Sequence, residues 1–350
     1  MLPGRATPEG TAKYREQSGA AGGHFRSGPG DLAVSSLGIG TYLGRDDAAT
    51  DALYAASVRR ALQLGINVID SAINYRNQRS ERAVAAAVRE SGIPREGMVI
   101  CSKGGYLPFD GARPHDHDAY VENTFVKTGI LAREEIVAGC HAISPRYLDD
   151  QIERSRRNLG VACIDVYYLH NPETQLGEIP RVEFLRRLRE AFGALERACG
   201  DGRIGCYGTA TWNGYLLDPD EEEHLSLREV LAAARDAGGA GHHFRALQLP
   251  FNLEMDEAAT HRNQDGSTLL EAAREAGLSV FASASVLQGR LTQKLPQPVR
   301  DSLAGLRTDA QRALQFARSA PGITCALVGM KTPAHVDENA ALAKIEPLQS

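Results

Sequence analysis

Short apolar runs rich in β-branched residues alternate along the chain with longer segments in which apolar residues recur at helical spacing. This alternation is typical of a parallel sheet whose strands are connected by helices. The runs predict strands at residues 35–41, 66–71, 98–103, 164–170, 204–209, 246–252, 279–283 and 324–329.

Helices are predicted between these strands, at residues 51–64, 80–90, 146–159, 181–198, 225–237, 268–276 and 308–319. Three of them end before a glycine that suits a left-handed C-cap, namely Gly65, Gly160 and Gly277. Strands and helices in this order indicate a closed (β/α)8 TIM barrel more than an open doubly wound sheet. The glycines of segment 38–44 also lack the GxGxxG spacing of a Rossmann fold.

Two stretches depart from the alternation. Residues 104–144 follow the third predicted strand and are too long for an ordinary connection, and aromatic residues such as Tyr106 and Phe109 favour an ordered lid. Residues 1–25 are rich in glycine and polar residues and lack the apolar run of a secretory signal. We therefore expect a mobile arm at 1–25 and a single barrel domain at 26–350.

The composition narrows the class of protein. Hydrophobic residues make up 43% and charged residues 24% of the chain, which are ordinary globular values. A net charge of −5 argues against nucleic acid or an anionic membrane as a partner, and it says nothing about oligomeric state. The 6 cysteines contain no CxxC pair, so neither a disulfide framework nor a zinc cluster is indicated, and we expect a cytoplasmic protein.

Four polar residues lie at or just after the ends of successive predicted strands. Asp70 ends the second strand and Tyr75 follows it, whereas Lys103 ends the third strand and His170 ends the fourth. Singly, each has an ordinary structural explanation, such as a turn cap, a packed aromatic or a solvated strand end. Because the strand ends of a barrel converge on one rim, we expect the four side chains to meet there.

These residue types suit the reduction of a carbonyl group. Hydride addition requires a proton at the carbonyl oxygen as negative charge develops there, and the Tyr75 hydroxyl can donate it. A Lys103 ammonium favours the phenolate form of the tyrosine, and Asp70 would keep a buried lysine charged. His170 would orient the substrate oxygen as a neutral imidazole.

The segments GINVIDSAINY, CSKGG, DVYYLHNPE, LQLPFNL and LVGMKTPAHVDEN resemble the aldo-keto reductase superfamily in order and spacing, over about residues 35–339. The resemblance implies a (β/α)8 barrel that binds NADPH or NADH and reversibly reduces aldehydes or ketones, with the tyrosine as general acid. It also implies three groups of cofactor-binding residues: Gly40, Thr41, Tyr42, Asp70, Thr211, Gln248 and Ser283 at the nicotinamide; Val286, Leu287 and Gln288 at the pyrophosphate; Lys331, His335 and Asn339 at the adenosine.

The chain departs from this family's pattern beside the nicotinamide. Ala210 and Thr211 stand where the family usually has Ser-Asn, and Ser283 stands where many members have a stacking aromatic residue. At the other end of the cofactor, a cation at Lys331 favours NADP over NAD, although His335 replaces a more usual Arg or Gln. The resemblance therefore implies NADP, with NAD possible.

The expected substrate is a small carbonyl compound, the matching alcohol or a sugar lactol, contacted by Tyr42, Tyr106, Asn171 and Trp212. The segment PHDHDAY at 114–120 does not define a metal coordination shell, and no metal is expected. Two other functions stay open at this point. Lys103 would act as a Schiff-base lysine in an aldolase-like barrel, or the protein would be a cofactor-binding regulatory subunit with residues 104–144 as its partner surface.

Overall fold

The computed structural model describes residues 1–348 and contains a closed barrel of parallel strands. A two-stranded antiparallel hairpin precedes it, formed by β1 Phe25–Ser27 and β2 Ala33–Ser35. The barrel strands, in chain order, are β3 Leu37–Gly40, β4 Val68–Asp70, β5 Val99–Gly104, β6 Ile164–His170, β7 Ile204–Ala210, β8 Phe244–Pro250, β9 Ser279–Ser283 and β10 Ile323–Gly329. Each strand pairs with the next in the chain, and β10 pairs with β3, so the (β/α)8 prediction is confirmed.

Helices connect the strands and cover the outside of the barrel. Their bounds are α1 Pro8–Ser18, α2 Ala48–Gln63, α3 Arg79–Glu90, α4 His117–Val121, α5 Pro145–Leu159, α6 Arg181–Gly200, α7 Leu227–Gly238, α8 Glu257–Thr260, α9 Leu269–Glu275, α10 Gln297–Ser302, α11 Asp309–Ser319 and α12 Pro333–Ala340. No helix within residues 1–348 is long and apolar enough to cross a membrane.

The sequence of β6 shows why the strands appear as nearly continuous apolar runs. Val166 and Tyr168 point into the barrel, whereas Tyr167 and Leu169 pack outward against the helices. Both faces of the strand are therefore buried, as in other parallel sheets flanked by helices. The predicted strands at 164–170 and 279–283 coincide with β6 and β9. The ends of the other predicted strands differ from the observed ends by up to two residues, because hydrogen-bonded pairing with the neighbouring strands determines where each strand ends.

Residues 1–25 differ from the expected mobile arm, because they fold against the amino-terminal end of the barrel. The backbone N–H of Ala6 donates to Asp165 Oδ1 at 2.7 Å. Ala6 also packs with Val34 of the hairpin onto the apolar residues that fill the barrel interior. This segment covers interior side chains that would otherwise contact water at the end of the barrel opposite the strand carboxyl ends.

Helix α1 is fixed to the barrel by the side chain of Tyr14, which is 6% exposed and donates a hydrogen bond to the Leu62 carbonyl. We expect Tyr14→Ala to lower the free energy of unfolding by about 3 kcal/mol, because it leaves a cavity and an unpaired carbonyl. Lys13→Ala changes an exposed neighbour and serves as the control in urea unfolding. Equal stability of the two variants would support a mobile arm instead.

The long stretch after β5 has a small core of its own. Its apolar side chains gather around the fully buried Phe125 and against α5, in a cluster formed by Leu107, Val121, Phe125, Leu131, Ala142 and Tyr147. The Tyr147 hydroxyl donates to the Tyr106 carbonyl at 2.8 Å, which ties α5 to the start of this stretch. Residues 104–144 are thus an ordered part of the structure beside the carboxyl ends of the strands.

Candidate active site

The carboxyl ends of β4, β5 and β6 bring three of the predicted residues to one rim. Asp70 is the last residue of β4, Lys103 precedes the last residue of β5, and His170 is the last residue of β6. Tyr75 follows β4 in a turn in which its N–H donates to the Ala72 carbonyl at 3.0 Å. The four side chains face the same region because adjacent parallel strands end at similar heights in the barrel.

Lys103 and Asp70 form a buried ion pair. Lys103 is fully buried, and its Nζ donates to Asp70 Oδ1 at 2.8 Å, to Asp70 Oδ2 at 2.7 Å and to the Ser71 carbonyl at 2.9 Å. Gln248 Nε2 also donates to Asp70 Oδ1, at 2.9 Å. Burial alone lowers the pKa of Lys103, but Asp70 and Tyr75 outweigh it, so the pKa lies above its usual value and the amine stays charged.

Tyr75 lines the open space of the site beside this ion pair. Lys103 Nζ is 4.8 Å from the centroid of the Tyr75 ring, within the range of a cation–π contact. Burial raises the pKa of the Tyr75 hydroxyl, and the nearby ammonium opposes that effect without cancelling it. The phenol is therefore protonated at neutral pH, as a proton donor must be, although its pKa is not lowered overall as Lys103 alone would predict.

His170 faces Tyr75 across the site, with ring centroids 5.9 Å apart. Burial, reinforced by Lys103 and His141, lowers its pKa well below the usual value, so the imidazole is neutral. Its Nδ1 is buried and has no hydrogen-bond partner in the part of the chain that the structure describes. A neutral imidazole in this position suits the orienting function predicted from sequence.

His141 supports His170 from behind and was not predicted from the sequence. Its Nε2 lies 2.7 Å from the His170 carbonyl oxygen, and its Nδ1 lies 2.9 Å from Gln175 Nε2. This arrangement fits a neutral ring that donates from Nε2 and accepts at Nδ1. Gly105, with φ 149°, permits the close approach, because an added Cβ would lie 2.7 Å from the His170 oxygen and 2.8 Å from His141 Nε2.

The neutral state of His141 makes stability depend on pH. Burial lowers its pKa from 6.5 to about 4, so the unfolded chain gains a proton as the pH falls while the folded protein does not. We expect this to cost roughly 2 kcal/mol of stability at about pH 5 relative to about pH 7.5. His141→Gln should lose that much less on acidification, measured by urea unfolding at both pH values. His115→Gln, at an exposed histidine, should behave like wild type.

A cavity of about 800 Å³ opens on these four residues and runs along the rim. Asp70, Tyr75 and His170 line it, whereas Lys103 lies behind Asp70 and Tyr75. Most of the residues predicted to bind cofactor also line it, namely Gly40, Tyr42, Thr211, Gln248, Ser283, Val286, Gln288, His335 and Asn339. The residues predicted from distant parts of the sequence therefore share one continuous space.

Three residues predicted to contact the cofactor lie outside the lining of this cavity. Thr41 is fully buried, and its hydroxyl bonds with the Asp70 carbonyl and Ser71 Oγ below the site. Leu287 packs into a separate apolar cluster. Lys331 is an exposed residue after β10. Each of the three lies close in the chain to residues that do line the cavity, but its own side chain is not part of the lining.

All four residues predicted to contact substrate line the end of the cavity that holds Tyr75. Tyr42 and Trp212 are 54% and 41% exposed at the mouth. Deeper inside, Asn171 Nδ2 donates to the Tyr106 hydroxyl at 3.2 Å, and the Tyr106 ring lies 5.2 Å from that of His170. Asn171 has φ 45°, a left-handed conformation that asparagine tolerates better than most residues.

Two further residues at this site were not predicted from the sequence. Asn74 lines the cavity, and its Oδ1 is buried without a hydrogen-bond partner among the described residues. The sequence could have indicated Asn74, because it immediately precedes Tyr75, a residue already predicted to lie in the site. Glu173 lies beneath Trp212, and no local pattern identifies it, because the contact joins residues 39 positions apart.

No group of three or more His, Cys, Asp or Glu side chains within residues 1–348 is arranged to hold a metal ion. The cysteines are free, and Cys140 is the one with partial exposure. The fold and the site thus define a (β/α)8 barrel with a phenol, an ammonium, a carboxylate and an imidazole around a long cavity at the carboxyl ends of its strands.

Comparison with known proteins agrees with this description. The family model for the aldo/keto reductase family matches residues 36–350. The chain belongs to the aldo/keto reductase family and is thereby an NAD(P)H-dependent oxidoreductase by class, so the resemblance seen in the sequence is confirmed.

The relatives include proteins named as enzymes and a protein named as a channel subunit. The chain is 39% identical to methylglyoxal reductase DkgB of Escherichia coli O157:H7 over 273 residues, which is 73% of this chain and 84% of the relative. It is 26% identical to D-threo-aldose 1-dehydrogenase of a Pseudomonas species over 337 residues, 90% of this chain and 91% of the relative. It is 24% identical to a putative voltage-gated potassium channel subunit beta of Schizosaccharomyces pombe over 330 residues, which is 89% of this chain and 85% of the relative.

Solved structures share the fold. An aldo/keto reductase from Klebsiella pneumoniae in complex with NADP and acetate superposes with a TM-score of 0.62 at 23% identity, covering 92% of this chain and 90% of that one. The holo form of an aldo-keto reductase from Bacillus halodurans gives a TM-score of 0.64 at 20% identity, covering 93% of this chain and 92% of that one.

Proposed function

We propose that the protein reversibly reduces an aldehyde or ketone with NADPH or NADH, and that Tyr75 donates the proton to the carbonyl oxygen. One observation carries this proposal. A neutral phenol lines the cavity between a buried, charged Lys103–Asp70 pair and a neutral His170. A phenol of this kind can release a proton to a carbonyl oxygen as negative charge develops there, since the ammonium stabilises the resulting phenolate.

The cavity has the polar groups that a dinucleotide requires. Buried oxygens without protein partners among the described residues lie near its two ends, Thr211 Oγ1 on the Tyr75 side and Asn339 Oδ1 on the far side. Between them, Ala284, Leu287 and Gln288 have φ between 44° and 52°, which curves the backbone along the cavity wall. We propose that Thr211, Gln248 and Ser283 hold the nicotinamide, residues 286–288 the pyrophosphate, and His335 and Asn339 the adenosine.

In the proposed reaction, the reduced nicotinamide, when bound, supplies the hydride that the carbonyl carbon accepts. Tyr75 gives its hydroxyl proton to the carbonyl oxygen, so the product is an alcohol. Lys103 stabilises the phenolate that remains, and Asp70 keeps Lys103 charged. His170 donates an N–H to the substrate oxygen and sets its direction toward Tyr75, while Tyr42, Tyr106, Asn171 and Trp212 contact the rest of the substrate.

The preference for NADP is supported by the basic residues at the adenosine end. His335 lines the cavity, and Lys331 lies exposed four positions before it. A cation there would bind the 2′-phosphate that distinguishes NADPH from NADH. We propose that NADPH binds more tightly than NADH, and that the side chain of Lys331 turns toward the cavity when the 2′-phosphate is present.

The structure argues against Lys103 as a Schiff-base lysine. Such a lysine must be uncharged and must reach the substrate carbon, whereas Lys103 Nζ is fully buried, donates three hydrogen bonds and has a raised pKa. The regulatory alternative takes support from the Schizosaccharomyces pombe relative named as a channel subunit. The presence of all four proton-transfer residues around one cavity favours the enzyme.

Titration with NADPH, followed by a panel of aldehydes, ketones and alcohols, tests the proposal. We expect NADPH to bind, as seen in the fluorescence of the reduced nicotinamide, and at least one carbonyl compound to be reduced at the expense of its absorbance. NADPH binding without any turnover would support the regulatory subunit. Labelling of Lys103 by borohydride in the presence of a carbonyl compound would support the aldolase.

A further inference from the structure

Glu173 is a buried carboxyl group beside the cavity that the proposed reaction does not use. It lies in the 3₁₀ turn Pro172–Gln175 that follows β6, and it is 4% exposed. The nearby arginines pair elsewhere, Arg181 with Glu229 and Arg187 with Glu183. Within residues 1–348, Glu173 therefore has no counter-ion.

The carboxyl group supports the turn that carries Trp212. Glu173 Oε1 accepts a hydrogen bond from the backbone N–H of Trp212 at 2.7 Å. Oε2 is also buried, and the described residues offer it no hydrogen-bond partner. Gly214 packs so closely that an added Cβ would lie 3.0 Å from Glu173 Cβ. The turn after β7 is thus built directly on this side chain.

The other side of that turn faces the cavity. The Thr211 N–H donates to the Gln248 carbonyl at 2.8 Å, so the backbone is anchored to the barrel up to residue 211. The next N–H along the chain, that of Trp212, is the one that Glu173 holds. The Trp212 side chain lines the cavity mouth and is 41% exposed, so its position depends on the anchoring of this turn.

We propose that Glu173 is a positioning residue whose protonation state sets how firmly Trp212 is held at the mouth of the cavity. The protonated carboxyl is neutral and tolerates its burial. Within the described residues 1–348, the carboxylate would have one hydrogen-bond donor, the Trp212 N–H, and no counter-ion, so placing a charge in this buried site is costly. Deprotonation therefore favours conformations in which the turn opens, water reaches the carboxylate and the indole moves into solvent.

Glu173 is expected to lose its proton near neutral pH. Burial raises the pKa of Glu173 to about 7, against the opposing effect of the Trp212 N–H that donates to it and the smaller effects of the backbone N–H groups of Glu173 itself and Gly214. Two titratable groups face it from the segment after β7, Glu223, which adds to the rise, and the buried Tyr215. Because the closed turn holds the proton more tightly than an open, hydrated one would, rising pH weakens the closed turn.

The chain offers a direct probe, since Trp212 is its only tryptophan. Intrinsic fluorescence of the full-length protein therefore reports on this residue alone. We expect acrylamide quenching of Trp212 to increase with pH, with a midpoint of about pH 7, accompanied by a red shift of the emission. A quenching constant that does not change with pH in wild type would overturn the proposal.

Two variants separate Glu173 from other titrating groups. Glu173→Gln keeps an oxygen that can accept from the Trp212 N–H but cannot ionise, so its quenching should stay at the low-pH value throughout. Glu178→Gln, at an exposed glutamate in the same segment, should follow wild type. A midpoint near pH 7 that persists in Glu173→Gln would assign the transition to another group and refute the proposal.

A kinetic consequence rests on the proposed function, whereas the fluorescence result does not. As pH rises through the same range, KM for a carbonyl substrate should increase in wild type and not in Glu173→Gln, with kcat changing less than KM. A pH-dependent quenching without any turnover would contradict the proposed function and leave the positioning of Trp212 supported. Turnover without pH-dependent quenching would support the proposed function and contradict the positioning of Trp212 by Glu173.

Discussion

Tyr75→Phe is expected to reduce turnover by about 10²–10⁴-fold, the usual contribution of a positioned general acid. The substitution removes the hydroxyl proton and keeps the ring, which contacts Lys103 and packs 4.9 Å from the Tyr42 ring, centroid to centroid. The cavity should therefore keep its shape, and NADPH should bind nearly as in wild type. Steady-state rates and NADPH fluorescence titration on the same sample measure the two effects separately.

A matched control uses a tyrosine away from the cavity. The Tyr120 hydroxyl donates a single bond to the Pro108 carbonyl at 3.3 Å, and Tyr120→Phe should leave turnover close to wild type. If Tyr75→Phe retained the activity of this control, the assignment of the proton donor would be wrong. If it lost NADPH binding together with turnover, the loss would reflect the cofactor and not proton transfer.

Asp70→Asn should destabilise the protein as well as inactivate it. The variant leaves the Lys103 ammonium fully buried without its carboxylate, and losing one partner of such a pair costs about 3–5 kcal/mol. Burial would then lower the pKa of Lys103 with only Tyr75 left to oppose it, and a neutral amine cannot stabilise the Tyr75 phenolate. We expect a large fall in the free energy of urea unfolding and a loss of turnover greater than for any variant at the cavity mouth.

The double variant Asp70→Asn, Lys103→Met distinguishes the two consequences. Removing the ammonium as well leaves no unpaired charge in the site, so much of the lost stability should return. Turnover should not return, because neither the charge beside Tyr75 nor its counter-ion is present. Recovery of activity with stability would mean that Asp70 and Lys103 act only in folding, and the proposed mechanism would fail.

The barrel could be predicted because its strands have two buried faces. In β6, Val166 and Tyr168 point inward while Tyr167 and Leu169 point outward, so this stretch is a continuous run of buried residues, and the helices show the 3.6-residue period. The amino-terminal segment could not be predicted in this way. Its fixed position depends on contacts such as Ala6 with Asp165 and Tyr14 with Leu62, which join distant parts of the chain and leave no local pattern.

Side-chain direction limited the prediction of cofactor residues. Thr41, Leu287 and Lys331 lie in segments that border the cavity, yet Thr41 forms its hydrogen bonds beneath the rim, Leu287 packs into an apolar cluster and Lys331 is exposed. A motif identifies which loop borders a cavity. The rotation of each residue within that loop depends on hydrogen bonds and packing partners that the motif does not contain.

The sequence alone was enough to predict that Asp70, Tyr75, Lys103 and His170 lie together at one rim, because the ends of neighbouring strands converge in a closed parallel barrel. The tertiary structure determines the environment of each of these groups. It buries Lys103 against Asp70, places His141 behind His170, and sets Glu173 under Trp212 with no counter-ion among the residues that the structure describes. Such environments arise from desolvation and from contacts between remote segments, and neither quantity exists until the chain has folded.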